Sequence, residues 1–315
     1  MSHTPARNDP YQLVTDLILQ HLESGVVPWR CPWRRQTGRP QNFHTGKAYQ
    51  GVNILLLGLQ RFASPYWMTF RQAQERGGSV RKGEHGSLVM KFGQFEKVTR
   101  NGDGEEEKRN SRFLKSYRVF NAAQIDGITF PLPDNGPQLA PPQRIARAEQ
   151  IAKEMPQRPQ ITEGKSDRAC YRRSLDTIQI PAFAVFNSPE EYYLTLYHEL
   201  IHATGHESRL ARQGVTGSDG FGGKEYSREE LVAEMGSAFL GMEAEIVRDE
   251  HEQSAAYLKG WLDVLRAPDH RRWLVQSANQ AGRAADFVLD RGGSEPSAAP
   301  ETETALNPQP LPSAA

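Results

Sequence analysis

The sequence is poor in cysteine, with only Cys31 and Cys170 among its 315 residues. Two cysteines this far apart supply neither a disulfide framework nor a cysteine-based zinc site. Long apolar runs are also missing, because no stretch approaches the roughly 18 apolar residues that a membrane-spanning helix needs. The first ten residues are polar and include no secretory apolar segment. These absences predict a cytoplasmic protein with no membrane partner.

The formal net charge is zero, but the charge is unevenly distributed. Residues 1–100 contain 14 Lys and Arg against 6 Asp and Glu, so this segment carries +8 and the remainder carries −8. Because 315 residues exceed the roughly 100 to 200 residues of a typical domain, we expect two domains. A basic first domain favours a polyanionic partner, although ordinary variation in surface charge explains the asymmetry equally well.

Sequence periodicity in the first half predicts a small mixed α/β domain. The segment Val27–Arg35 contains two prolines and is therefore predicted to be irregular. The predicted elements are a helix over Asp9–Leu22 that stops at Gly25, a helix over Asn53–Gln60, a strand or turn at Trp67–Phe70 that precedes a third helix, and a hairpin of strands Ser87–Phe95 and Phe113–Asn121.

The second half is predicted to be mostly helical, which makes the whole chain α+β in class. A proline-rich stretch marks the boundary, so we predict domains over residues 1–134 and 144–291, a linker over 135–143 and a disordered tail over 292–315. The predicted elements are helices over Ala146–Met155, Pro189–Thr204 with Ser188 as N-cap, Ser227–Glu245, His251–Leu265 and His270–Leu289, and a strand over Thr177–Ile180.

The segment His198–His202 reads His-Glu-Leu-Ile-His, which is the metal-binding helix motif of zincin-type metallopeptidases. Positions i and i+4 of a helix share a face, so His198 and His202 present two imidazoles to one divalent ion, for which zinc is expected. Glu199 lies beside them and is the expected general base toward a metal-activated water.

Such a site needs a third protein ligand. Ser208 stands where metzincins have their third histidine, and His206 is out of that register, although it lies one turn past His202. We therefore predict that Glu230 completes the ligand set and that Glu234, one turn further on, accepts a hydrogen bond from a ligating histidine. Glu229 is expected to point toward solvent.

Two further roles near the metal follow from the same segment of sequence. The strand Thr177–Ile180 is expected to be the sheet edge that pairs with an extended peptide. Tyr197 or His206 could stabilise an oxyanion, although each residue type more often serves packing or lies at the surface.

Tryptophans interleaved with arginines in the first half suggest binding of single-stranded nucleic acid, which needs cations along the backbone and aromatic faces for base stacking. Burial of the tryptophans as anchors between prolines is the alternative. The polar cluster Asn42, His44–Lys47, Tyr49 and Asn53 fits either a structural or a binding role. The predicted DNA-binding residues are Trp29, Arg30, Trp33, Arg34, Arg35, Lys47, Tyr49, Arg81 and Lys82.

Ordered motifs in both halves resemble the ArdC family of antirestriction proteins of conjugative plasmids. The motifs are Gly25, Pro28, Trp29, Pro32 and Trp33; Thr45, Gly46, Tyr49, Gly51 and Asn53; Trp67 and Thr69; Arg81–Glu84 and Gly86; Val119–Asn121; Tyr197–His206; and Tyr226, Glu229–Leu231, Ala233 and Glu234. The resemblance spans about Asp9 to Asp290. It implies an N-terminal domain that binds single-stranded DNA, a zincin-like C-terminal domain, and protection of incoming plasmid DNA from host restriction during conjugation.

Two mechanisms remain open for such a protein. It could be a DNA-binding metallopeptidase that cleaves a host restriction or defence protein. It could instead be a non-enzymatic protein that covers DNA or occludes restriction enzymes, with a vestigial metal domain. An intact Glu199 favours the first mechanism, because a purely structural metal site does not need a general base.

Overall fold

The computed structural model describes residues 9–30, 39–60, 62–100, 106–131, 141–216, 224–246, 255–267, 270 and 272–291. Its mixture of helices and strands confirms the predicted α+β class. Among these residues, no helix combines the length and the apolar character needed to cross a membrane. In chain order the first half contains α1 (Pro10–Glu23), β1 (Gln41–Asn42), α2 (Val52–Gly58), β2 (Tyr66–Met68), α3 (Phe70–Glu75), β3 (Ser79–Val80), β4 (Ser87–Arg100), β5 (Glu106–Asn121) and β6 (Ile125–Asp126).

The second half carries most of the helical residues. Its elements are α4 (Pro141–Glu154), β7 (Gln160–Glu163), β8 (Cys170–Arg172), β9 (Thr177–Ile180), α5 (Pro189–Thr204), α6 (Gln213–Thr216), α7 (Lys224–Glu243), α8 (Ala255–Leu265) and α9 (Trp273–Val288). The predicted bounds of α5 and β9 are confirmed. The strands β7 and β8 were not predicted, because they lack the alternation of fully buried residues that β9 has.

The first helix begins and ends at its sequence signals. Asp9 caps it by accepting a hydrogen bond from the backbone N–H of Tyr11 at 3.0 Å. Gly25 follows the helix with a φ of +83°, a conformation that glycine adopts without steric cost. The buried face consists of Val14, Thr15, Ile18 and Leu22.

Helix α2 is apolar on every side and is buried from Val52 to Leu57. Its one polar side chain, Asn53, donates to the carbonyl oxygen of Met90 at 2.8 Å and accepts from the Met90 N–H at 2.7 Å. These bonds attach α2 to strand β4. The strand belongs to a sheet of order β1-β2-β5-β4, in which the predicted hairpin β4–β5 is confirmed with longer strands. The residue Asn53 of the polar cluster is therefore structural.

The two halves of the chain pack into one compact unit, which includes the described residues up to Lys91 and from Lys115 onward. The rings of Trp29 and Trp261 meet edge to face at 5.5 Å between centroids. Gly51 lies so close to Asn279 of α9 that a Cβ atom would overlap that side chain. The outer part of the hairpin, Phe92–Leu114, belongs to a second unit.

The predicted linker and tail fall mostly outside the described residues. Of the linker, residues 135–140 are not described, whereas Pro141 to Gln143 form the first turn of α4. Proline is tolerated there, because the first N–H groups of a helix have no intrahelical partner. The predicted tail over 292–315 also lies outside the described residues.

The second half contains a three-stranded sheet of order β7-β9-β8. Strand β9 runs parallel to β7 and antiparallel to β8, so both of its edges are paired. The prediction that Thr177–Ile180 is an edge strand was therefore wrong. Ile178 and Ile180 are fully buried, which explains why this strand alone gave a sequence signal.

Candidate metal centre

The two helices that carry the candidate ligands pack unusually close together. Helix α5 begins at the predicted N-cap Ser188, whose hydroxyl accepts from the Glu191 N–H at 3.1 Å. Gly236 of α7 faces Ile201 of α5, and a Cβ atom at Gly236 would lie 2.7 Å from the Ile201 Cδ1 atom. The Ser237 hydroxyl also donates to the Leu194 carbonyl oxygen at 2.6 Å. Only glycine permits this approach, which brings the start of α7 beside the histidines of α5.

His198, His202 and Glu230 converge at this crossing. The Nε2 atoms of the two histidines lie 3.1 Å apart. The Glu230 carboxylate has one oxygen 3.4 Å from the His198 Nε2 and the other 3.5 Å from the His202 Nε2. One ligand atom from each residue lies within 4.8 Å of the other two.

These separations fit a divalent ion. Protein ligands bound at about 2.0 to 2.2 Å around a tetrahedral ion lie about 3.3 to 3.6 Å from one another. Two imidazoles and one carboxylate are also the donor set of catalytic zinc sites, which leave the fourth position open. The residues present therefore suit the group that the zincin motif implies.

A further carboxylate, that of Glu229, contacts the candidate ligand His202. Its carboxylate lies 3.4 Å from the His202 Nδ1 atom, on the opposite side of the ring from Nε2. Glu229 is only 5% exposed, so the expectation that it points toward solvent was wrong. Glu234 is partly buried on α7, and the hydrogen bond predicted from a ligating histidine to Glu234 stays a prediction. A carboxylate on the far nitrogen fixes the tautomer of a ligating histidine.

Arg212 explains why Glu229 can be buried. Its guanidinium donates to both carboxylate oxygens of Glu229, at 3.1 and 2.5 Å, and it is 6% exposed. It also donates to the Thr204 hydroxyl and to the Ile201 carbonyl oxygen, each at 2.6 Å. Arg212 thus ties the end of α5 to α7. The sequence carried no clear signal for it, because a lone arginine in a loop is normally exposed.

The charges in this cluster are strongly coupled. Burial by itself would lower the pKa of His202, but the carboxylates of Glu229 and Glu230 outweigh it and raise the pKa to about 10. Burial would raise the pKa of both glutamates, but hydrogen bonds from the two histidines and from Arg212 hold those pKa values below the ordinary range. The cluster therefore attracts a positive charge, which can be a proton or a metal ion.

The metal-free protein is expected to lose stability as the pH rises from about 7 to about 10. Because the pKa of His202 is raised above its ordinary value of 6.5, its contribution to stability is complete below that value and is lost as the pH passes about 10. Melting temperatures measured in a chelator across this range test the expectation. Added zinc should abolish the loss, because the ion replaces the proton.

The variant His202→Asn provides the control for this pH dependence, because tyrosines and lysines also titrate in the alkaline range. We expect a smaller alkaline loss in the variant than in the wild type. Equal losses in the two proteins would contradict a raised histidine pKa.

A second arginine network holds the loop that follows α5. Arg209 donates to both oxygens of Asp176, to the Tyr171 hydroxyl and to the Ala203 carbonyl oxygen. Tyr171 in turn donates to Asp176 at 2.8 Å. The end of the metal-binding helix is therefore fixed to strand β8 and to the turn before β9.

Tyr197 and His206, the two candidates for stabilising an oxyanion, make other contacts in the structure. Tyr197 is fully buried, and its hydroxyl donates to the Ala148 carbonyl oxygen at 3.0 Å, so it serves packing. Burial also raises its pKa. The His206 Nδ1 lies 2.8 Å from the Ser208 hydroxyl and accepts from the Ser208 N–H at 3.2 Å. His206 thus belongs to the turn after α5, and it is not among the residues that converge on the candidate metal position.

The predicted DNA-binding residues differ in burial, and some of them lie outside the described residues. Trp29 is 2% exposed against Trp261, so it offers no face for a base, and its assignment to stacking is corrected to a packing anchor. Trp33, Arg34 and Arg35 lie outside the described residues, as does the side chain of Arg30.

The remaining candidates divide between structural and exposed residues. Tyr49 packs against the core, and burial raises its pKa to about 12 despite a hydrogen bond with Asn42. The Arg81 side chain is 45% exposed, and its guanidinium donates to Glu84, to Asp126 and to the Ala123 carbonyl oxygen. Lys47 and Lys82 are exposed.

Comparison with known proteins agrees with this arrangement. Residues 8–120 match the family model of the N-terminal domain of the anti-restriction factor ArdC, and residues 146–280 match that of the zincin-like metallopeptidases. The fold and the site thus define a zincin-like metallopeptidase domain that follows an ArdC-type N-terminal domain. The metal-free crystal structure of antirestriction protein ArdC from plasmid R388 is 38% identical, with a TM-score of 0.71 over 90% of this chain and 97% of that one. The chain belongs to the ArdC family of antirestriction proteins.

A second structure of R388 ArdC and two further relatives bear on the site and on the context. The Mn(II)-bound crystal structure of R388 ArdC is 36% identical over 90% of this chain and 97% of that one, with a TM-score of 0.67. The protein y4eC of Sinorhizobium fredii (strain NBRC 101917 / NGR234) is 35% identical over 89% of this chain and 91% of its own length. DNA primase TraC of Escherichia coli is also 35% identical over 89% of this chain, but the match spans 27% of the primase. The zincin-like domain and the metal-bound relative support a divalent metal at this site.

Proposed function

We propose that this protein is a metal-dependent peptidase of the zincin type that also binds single-stranded DNA and protects incoming plasmid DNA from host restriction in the cytoplasm. The convergence of His198, His202 and Glu230 is the observation that carries the peptidase half, and Glu199 directly follows His198 on α5. In this proposal residues 1–134 bind DNA and residues 144–291 hold the catalytic site.

The proposed roles of the site residues follow from their positions. Bound to the three ligands, a divalent ion supplies Lewis-acid activation of a water molecule and of the scissile carbonyl. Glu199 takes a proton from the attacking water and passes it to the departing amine, which restores the carboxylate. Glu229 holds the far nitrogen of His202, so that its Nε2 keeps a lone pair for the ion.

Strand β8 is the proposed docking edge for an extended peptide, in place of β9. It is an outer strand of its sheet, and it packs against α5, which carries the ligands. An added strand would pair through backbone hydrogen bonds, with alternate side chains facing the sheet. Leu175 follows this strand, and its 63% exposed side chain provides an apolar contact for such a peptide.

The variant Glu199→Gln tests whether catalysis is part of the function. We expect it to keep its metal but to lose at least about 100-fold in peptide cleavage, because an amide cannot accept the proton. Cleavage of a quenched fluorescent peptide library with zinc or manganese measures the chemistry. Plasmid transfer into restricting and non-restricting hosts measures the protection.

Glu207→Gln is the matched control. Glu207 lies in the turn that follows α5, the helix that carries Glu199, and its side chain is 69% exposed. Loss of both cleavage and protection in Glu199→Gln alone supports the peptidase mechanism. Full protection by Glu199→Gln would instead favour the second candidate, a protein that covers DNA or occludes restriction enzymes. The basic first half supports that candidate.

A further inference from the structure

Phe70 presents an aromatic ring to solvent on the first half of the chain, with 49% of the residue exposed. It is the first residue of α3, directly after the N-cap Thr69. The Thr69 hydroxyl accepts from the Gln72 N–H at 3.2 Å, and the Gln72 side chain accepts from the Thr69 N–H at 3.0 Å. This capping box fixes the first turn of the helix, so the exposed ring stands on a rigid base.

A second ring and a cation lie beside Phe70. The Phe120 ring centroid is 6.4 Å from that of Phe70. On strand β5, Val119 is buried, whereas its neighbours Arg118 and Phe120 share the opposite face. Both lie over Gly86, which has no side chain to displace them, and Arg118 donates to the Gly86 carbonyl oxygen at 3.0 Å.

Two arginines lie next to the rings in sequence, Arg71 directly after Phe70 and Arg118 two positions before Phe120, and both remain available to an anion. The Arg118 side chain donates to a backbone carbonyl oxygen, so among the described residues its charge has no carboxylate partner. Arg71 pairs with Glu75 at 2.8 Å, but both side chains are about half exposed, at 56% and 44%. Exposed pairs of this kind contribute little and exchange partners readily.

We propose that Phe70, Arg71, Arg118 and Phe120, here called the Phe70 patch, form a base-stacking site for single-stranded DNA. This inference rests on the DNA-binding half of the proposed function. It locates the stacking site at exposed residues, whereas the predicted stacking residue Trp29 is buried. An exposed ring on a rigid turn can stack only on an unpaired base, and the flanking guanidiniums match the adjacent phosphates. Duplex DNA would offer the ring no free base face.

The binding of a fluorescently labelled oligo-dT of about twenty nucleotides, measured by fluorescence anisotropy, tests the Phe70 patch. We expect Phe70→Ala to weaken binding by about 5- to 150-fold, which is the range for loss of one stacking contact. Phe70→Leu should weaken it similarly, because it keeps the apolar bulk but removes the ring. Phe70→Trp should bind at least as tightly as the wild type.

The salt dependence of binding separates stacking from charge. Phe70→Ala should leave the slope of log affinity against log salt unchanged, whereas Arg118→Gln should reduce its magnitude by about 0.7, the value for one phosphate contact on a single strand. Val185→Ala is the control, because it removes a 69% exposed apolar side chain from the second half, at a position with no proposed role in binding. We expect it to bind like the wild type.

The possible outcomes distinguish the inference from the function on which it rests. If the wild type does not bind oligo-dT, both the DNA-binding proposal and the patch are overturned. If the wild type binds and Phe70→Ala matches Val185→Ala, DNA binding stands and the patch is overturned. Loss in Phe70→Ala and Phe70→Leu, with recovery in Phe70→Trp, supports the patch.

Discussion

Removal of any one of His198, His202 and Glu230 is expected to reduce the bound metal from about one ion per chain to less than about a tenth. In the proposed site these three residues hold the ion, and their ligand atoms lie within 4.8 Å of one another. With one donor gone, the remaining two form an open site that loses its ion during purification. The measurement is metal content by mass spectrometry on the variants His198→Ala, His202→Ala and Glu230→Ala.

Two matched variants control this experiment. Glu234→Gln alters the carboxylate one turn from Glu230, and His206→Ala removes the histidine that lies closest in sequence to the motif. Both should keep a full complement of metal. If Glu234→Gln loses its metal while Glu230→Ala retains it, the third ligand has been assigned to the wrong glutamate.

The same samples identify the metal. A site with two imidazoles and a carboxylate binds zinc more tightly than manganese at equal free concentrations, following the general order of divalent affinities. We therefore expect zinc to displace manganese in competition. Retention of manganese under those conditions would point to a coordination number above four.

Replacement of Arg212 by methionine is expected to lower the free energy of unfolding by about 3 to 5 kcal/mol, because it leaves Glu229 buried without its guanidinium partner. The side chains of both residues are about 5% exposed, so solvent cannot replace the lost hydrogen bonds. Two further bonds, to Thr204 and to the Ile201 carbonyl oxygen, are lost as well. Urea denaturation in the presence of a chelator measures this stability without the contribution of the metal.

The exposed pair Lys153–Glu149 provides the comparison, with side chains 64% and 48% exposed. Lys153→Met should cost less than about 1 kcal/mol. The double variant Arg212→Met with Glu229→Leu should recover part of the loss, because it removes the unpaired charge as well. A single Arg212→Met variant as stable as Lys153→Met would mean that the buried pair contributes no more than a surface one.

Local signals in the sequence were sufficient to predict the bounds of α5, the helix that carries His198 and His202. The histidine spacing follows from the period of a helix, and Ser188 and Pro189 mark its start. Glu230 could be proposed as third ligand because Glu230 and Glu234 lie one turn apart on one face of the helix that follows the motif. None of these steps needed knowledge of distant contacts.

The orientation of Glu229 could not be predicted in this way. The apolar residues of α7 indicated a buried face that does not include Glu229. Its burial depends on hydrogen bonds from Arg212, which lies in the loop between α5 and α6. Trp29 illustrates the same difficulty, because its partner Trp261 lies in α8 near the other end of the chain. The edge position predicted for Thr177–Ile180 was wrong for the same reason, because the pairing of β8 with β9 is set by tertiary packing.

The buried α2 has a consequence for how such proteins evolve. Its apolar surface faces the sheet of the first half on one side and α9 of the second half on another, so neither half can be cut away without exposing it to water. A gene fusion that transplants this module must therefore carry both halves together. The match to the much longer TraC primase, which includes 89% of this chain, has that form.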